Sequence, residues 1–450
     1  MTQTTYWAEH AWLSTGPAAG VRLSVEAGRF VRVEPRVHAH SDDLRLAGVV
    51  LPGLANTHSH AFHRALRGRT HGGAGDFWSW REQMYAVTRR LDPDTYLALA
   101  RATYAEMALA GTTVVGEFHY LHHDVDGRRY SDPNAMSGAL VAAAAEAGLR
   151  ITLLDTCYLA GGLNGNGYLP PDRVQQRFSD GTVDAWWERM SDFAASFGTG
   201  SRAKVRFGAA IHSVRAVPRP ALETLGALVA DMPLHVHLSE QPAENMACEI
   251  VHGCSPTRLL ADTGVLRPDL TAVHATHLSA DDVKLLGSAD AQAAFCPTTE
   301  RDLADGIGPA RELSDAGVSL SLGSDQHAVI DPFEEVRGLE MHERLVTNER
   351  GRFRPDELLR AASANGYRSL GWFGGGVLAP GALADFVVVR DDTVRTVGSK
   401  AGQILYAATA SDVAMVVVGG DVIVERGEHV RLGSIAPLLR DAFDALRDDR

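Results

Sequence analysis

From Val49 onward, short β-branched or apolar runs alternate with longer Ala/Leu/Glu/Arg-rich stretches of helical periodicity, the pattern of parallel strands joined by crossover helices. Eight runs are predicted as strands: Val49–Leu54, Thr112–Phe118, Arg150–Cys157, Val205–Ile211, Leu234–Leu238, Leu270–His274, Ala291–Cys296 and Val318–Leu322. Helices are predicted between them, among them Asp94–Ala110, Pro133–Ala147, Val183–Phe197 and Pro218–Asp231, with Pro332–Thr347 and Pro355–Leu370 after the eighth strand. Eight β/α units are the count of a (β/α)8 TIM barrel.

The two ends read differently. Val21–Val33 and Ala384–Val424 are rich in Val, bounded by Gly turns and free of long helical periods, so they are expected to form two halves of one small β-sandwich. The fold class predicted is therefore α/β, a (β/α)8 barrel with a small β-sandwich domain formed from both termini. Its expected limits are residues 1–48 for the first part of the sandwich, 49–375 for the barrel, and 376–450 for the second part plus a terminal helix around Ala436–Leu446. The Gly/Pro/Asn-rich loop Leu159–Asp180 is long enough to serve as a lid.

Composition narrows the function classes. The chain has 450 residues, 45% hydrophobic and 22% charged, which is ordinary globular composition. A net charge of −13 argues against a nucleic-acid or anionic-membrane partner, since such binding draws on clustered Lys and Arg. Four cysteines without a CxxC pair suggest reduced thiols rather than a disulfide framework. The N-terminal MTQTTYWAEHAWLS lacks a basic and then apolar leader, so a soluble, cytoplasmic protein is expected.

The candidate chemistry lies at strand ends, which form the rim where barrel active sites are built. In Asn56-Thr57-His58-Ser59-His60, residues two apart share a strand face, so His58 and His60 can present two imidazoles to one metal. In Leu234-His235-Val236-His237-Leu238-Ser239-Glu240, His237 is nearer the rim and the deeper His235 suits a core role, while Glu240 lies just past the strand within reach of a bound substrate. Of His274 and His277, His274 is read as the one facing inward, and Asp325 in Gly323-Ser324-Asp325 tips the eighth strand. Three imidazoles and a carboxylate with an open position suit a water-activating Zn²⁺ or Fe²⁺ rather than a closed structural site.

PGLANTHSH, HVHLSEQ, VHATH and GSDQH together resemble the amidohydrolase superfamily, in particular its aminohydrolase branch. The further segments FWSWREQMY (Phe77–Tyr85), GEFHYLHHD (Gly116–Asp124), IHSVRAV (Ile211–Val217) and ERDLADGIGPA (Glu300–Ala310) are similar to the formimidoylglutamate deiminase family within it. That resemblance implies His58, His60, His237 and Asp325 as ligands of one zinc. It implies Glu240 as proton donor, His274 as partner of the attacking oxygen and Asp325 as proton acceptor. It further implies a small dicarboxylate substrate, N-formimino-L-glutamate, held by Arg81, Tyr120, His212 and Arg215, and a homodimer. Where the family pattern reads HSHAFQ, this chain carries His63 in place of the Gln. Two other readings remain: a relative acting on a heterocycle or opening an imidazolone ring, and a barrel scaffold without catalysis.

Overall fold

The computed structural model describes residues 3–71, 77–197 and 204–447. One parallel sheet takes its eight strands in chain order: Leu54–Ser59, Thr112–His119, Arg150–Cys157, Val205–Ser213, Leu234–Leu238, Leu270–His274, Gln292–Phe295 and Ser319–Leu322. The first and eighth meet through a parallel bridge between Ser59 and Asp325, which brings the sheet round into a barrel. Helices such as Pro93–Leu109, Ala135–Ala147 and Pro332–Thr347 follow strands as crossovers, and Asp92 caps the first of these through Thr95.

The expected first strand, Val49–Leu54, is divided between two sheets. Val49–Pro52 ends the strand Leu44–Pro52, which pairs with Thr4–Leu13 and Phe386–Val389 outside the barrel. After Gly53 the chain turns into the barrel at Leu54. A Cβ on Gly53 would lie 2.5 Å from Thr113 Oγ1 and 2.9 Å from Asp385 Cβ, so only glycine fits this corner. A continuous apolar run carries no periodicity to mark such a change of sheet. The expected helix Pro355–Leu370 is likewise two helices, Pro355–Ala362 and Ala364–Ser369. Its break is at Ser363, whose hydroxyl donates back to Leu359 O at 2.5 Å, a contact that bends helices.

The β unit from both termini is one mixed, eight-stranded sheet. Its strands alternate in the period-2 manner: Phe386, Val388 and Val417 face Tyr6, Leu23 and Phe30, whereas Val387, Val389, Val416 and Val418 join the core shared with the barrel. Burying each such side chain contributes about 1.5–3 kcal/mol. A buried ion pair crosses this seam, with Arg150 Nε donating to Asp385 Oδ2 at 2.7 Å. The terminal helix Ile435–Ala445 packs on Pro93–Leu109.

The long loop after the third strand is built from a short hairpin, Gly162–Asn164 with Gly167–Leu169, and a 3-10 turn at Gln175–Phe178.

Candidate active site

Strand alternation turns His58 and His60 to one side, while Ser59 between them donates to Glu117 Oε2 at 2.6 Å on the other. The eighth strand is bound to this segment by Asp325 N donating to His58 O (3.0 Å) and His60 N donating to Asp325 O (3.2 Å). Gly323 permits the approach, since a Cβ there would lie 2.7–2.9 Å from the His58 O, Cβ and N atoms. Barrel closure and assembly of the His/Asp cluster are thus the same contact. Ser239, His274, Asp325 and His327 all take positive φ (50°, 66°, 40° and 60°), a strained conformation for non-glycine residues that gathers at functional sites.

Two overlapping groups, His58–His237–His274 and His58–His60–Asp325, have ligand atoms within 4.8 Å of one another. His58 Nε2 lies 3.2 Å from His237 Nε2 and 3.4 Å from Asp325 Oδ1, and His60 Nε2 lies 3.3 Å from the same oxygen. A tetrahedral ion with bonds of about 2.0–2.1 Å sets its ligands about 3.3 Å apart, so these separations fit a divalent metal. His60 Nδ1 donates to Phe118 O and His237 Nδ1 donates to His212 O, both at 2.8 Å, which leaves each Nε2 lone pair facing the cluster. Burial pushes His58 down to about 3 and lowers His60 and His237, so all three are neutral donors at physiological pH. Burial would raise the Asp325 carboxyl, but its hydrogen bond with His58 and the charged His274 beside it outweigh that and hold it ionised.

Glu240 lies beside this cluster, its Oε1 3.7 Å from His274 Nε2 and its Oε2 accepting from Arg215 Nη2 at 3.2 Å. His274 Nδ1 lies 3.5 Å from Glu300 Oε1. Burial works against the imidazolium, yet the carboxylates of Glu240, Glu300 and Asp325 prevail and push it up to about 10. Arg215 Nε is also 3.0 Å from Glu244 Oε2, so this guanidinium is shared by two carboxylates.

A cavity of about 210 Å³ is lined together by His60, His63, Arg81, Tyr120, His212, Arg215, His237, Glu240, His274 and Asp325. Every expected site residue therefore faces one space except His58, which is fully buried behind it. His63 Nε2 and the Tyr120 hydroxyl pair at 3.0 Å, and burial holds His63 well below its ordinary value, so the ring is neutral. His212 stacks edge-on against Tyr158, with ring centroids 4.6 Å apart. His235 is bonded to Ser369 O at 3.3 Å in the core, and His277 Nε2 is 2.8 Å from Asp305 O, away from the cluster.

Sequence reasoning missed Tyr85, Tyr158, Met84 and Phe178 in the cavity wall, and Glu244 and Glu300 as charge partners. Two signals were available. Tyr85 is four residues after Arg81 on the helix Phe77–Thr88 and so shares its face, and Tyr158 directly follows the third strand.

The amidohydrolase family model matches residues 49–423. The chain is 36% identical over 439 residues to a formimidoylglutamate deiminase of Pseudomonas aeruginosa, covering 94% of this chain and 95% of that one. It is 28% identical to a 5-methylthioadenosine/S-adenosylhomocysteine deaminase of Halobacterium salinarum, covering 91% and 89%. Among solved structures, an amidohydrolase from Brucella melitensis superposes with a TM-score of 0.87 at 32% identity, covering 98% of this chain and 99% of that one. A family match across most of the barrel, with His and Asp donors at the strand ends where a metal-dependent hydrolase needs them, leads to one conclusion: the chain belongs to the amidohydrolase family.

Proposed function

We propose that the protein hydrolyses N-formimino-L-glutamate to N-formyl-L-glutamate and ammonia, a step of histidine breakdown, with zinc as its metal. The observation that carries this reading is a single small cavity lined both by the His/Asp cluster and by two arginines, Arg81 and Arg215. About 210 Å³ is below the range of about 300–1,000 Å³ usual for drug-sized ligands, which favours a short acyclic substrate over a nucleoside. Both guanidinium groups reach the cavity, Arg215 while also paired with Glu240 and Glu244, and five N–H donors on each let one guanidinium serve more than one carboxylate.

His58, His60, His237 and Asp325 would hold a zinc ion, which would supply the Lewis acidity that makes water nucleophilic near neutral pH. Asp325, ionised in its buried place, takes the proton of the attacking water. His274, held charged between Glu240 and Glu300, donates a hydrogen bond to the oxygen that adds to the formimino carbon. The terminal nitrogen leaves as ammonia once both protons of the water have reached it, the one Asp325 takes and the one left on the added oxygen; Glu240, a carboxylate at rest, takes each up, passes it to that nitrogen and ends ionised as it began. Arg81, Arg215, His212, Tyr120 and His63 hold the glutamate portion. Metal-loaded protein given N-formimino-L-glutamate is expected to release ammonia and N-formyl-L-glutamate. Formamide and glutamate as products would overturn the bond assignment, and undiminished turnover in Arg81→Met and Arg215→Met would overturn the dicarboxylate assignment.

A further inference from the structure

Gln175, in the long loop after the third strand, is buried and makes an unusual set of bonds. Its Oε1 accepts from Asp172 N at 2.9 Å, which fixes the orientation of the amide. Its Nε2 therefore points the other way, 3.0 Å from the Tyr85 hydroxyl, 2.9 Å from the Tyr158 hydroxyl and 2.8 Å from Gly161 O. An amide nitrogen only donates, so neither phenol can direct its own proton there, and the two N–H protons are shared among the Gly161 carbonyl and the two phenol oxygens. Among the described residues, no protein acceptor takes either proton. Burial raises both phenols, Tyr158 strongly, so each stays protonated across the physiological range. Both rings line the cavity with Arg81 and Arg215, and the Arg81 guanidinium carbon lies 5.5 Å from the centre of the Tyr85 ring.

We infer that Gln175 turns the hydroxyls of Tyr85 and Tyr158 into the cavity as a pair of donors that, with the neighbouring arginines, receive one carboxylate of the substrate. The inference rests on reading the cavity as a dicarboxylate site, and it adds a selection rule. A ligand lacking that carboxylate leaves two buried donors unmatched, whereas a carboxylate oxygen satisfies both. The pairing also makes the loop part of recognition, because the Gln175 amide nitrogen can accept a proton from neither tyrosine.

Calorimetric titration of the metal-loaded full chain with glutarate tests this without relying on turnover. Tyr85→Phe and Tyr158→Phe are each expected to weaken glutarate binding about tenfold, the effect of one lost hydrogen bond to a charged group. Gln175→Glu keeps both tyrosines but offers them a carboxylate acceptor, so it is expected to weaken glutarate to a similar degree. Metal content and melting temperature should stay near those of the parent protein in the two Phe variants. Glutarate affinity unchanged in the Phe variants, or absent in the parent protein, would overturn the inference. Tyrosine-dependent glutarate binding without ammonia release from N-formimino-L-glutamate would overturn the proposed reaction and leave the carboxylate receptor standing. Ammonia release with tyrosine-independent glutarate binding would do the reverse.

Discussion

Glu240 stands between Arg215 and His274 and contributes no atom to the proposed donor set, so its chemistry can be separated from metal binding. Glu240→Gln retains the side-chain shape but can neither take up a proton nor pass one on. Its kcat is expected to fall about 10²- to 10⁴-fold, the usual contribution of a positioned proton donor. Metal analysis should find the ion retained, and a variant that lost its metal would show that Glu240 holds the cluster together instead. Asp325→Asn should lose both ion and turnover. The His58/His60 pair was legible in the sequence because alternation along a strand is a local rule. Glu244 was not, because its significance depends on Arg215, which a different strand brings to within 3.0 Å. A carboxylate in the first turn of a helix is common and carries no label for the partner that folding supplies.

Strands were legible where a short apolar run is bounded by polar or turn residues, and the fifth and sixth, Leu234–Leu238 and Leu270–His274, match the periodicity reading end to end. The first was misplaced because one hydrophobic stretch serves two sheets on either side of Gly53. Pairing across the barrel seam is also invisible to local pattern, since the first and eighth strands are far apart in the chain. Gly323 tests what that seam does. Gly323→Ala forces the eighth strand away from His58, an overpacking that costs about 1–3 kcal/mol. Because Asp325 is bound to the backbone of His58 and His60, the same displacement should spread the donors and lower metal affinity about tenfold or more. Competition with a chelator measures the affinity and urea unfolding the stability. A variant that is less stable but binds metal normally would show that closure and cluster assembly are separable.

The terminal sheet and the barrel share one apolar core, and their union also includes a buried polar junction. Asp385 accepts from Arg150 Nε at 2.7 Å and Nη2 at 3.1 Å, from the Tyr367 hydroxyl at 2.7 Å and from Gly419 N at 2.6 Å. Arg150 begins the third barrel strand, Tyr367 lies in a helix after the eighth, and Gly419 joins two strands of the terminal sheet, so one carboxylate holds three parts of the chain. Both Asp385 and the Arg150 side chain are almost wholly buried, and removing the acid would leave a guanidinium with its main counter-charge gone. Asp385→Ala is therefore expected to lose about 3–5 kcal/mol of stability, the usual cost of breaking a buried pair from one side. Replacing both partners together, Arg150→Met with Asp385→Leu, should cost less than Asp385→Ala alone, since no unpaired charge remains. In each case denaturant unfolding should show a single transition, because the apolar face formed by Val387, Val389, Val416 and Val418 still ties the sheet to the barrel. Two resolved transitions in Asp385→Ala would show instead that the junction, and not the shared core, makes the terminal sheet and the barrel one cooperative unit.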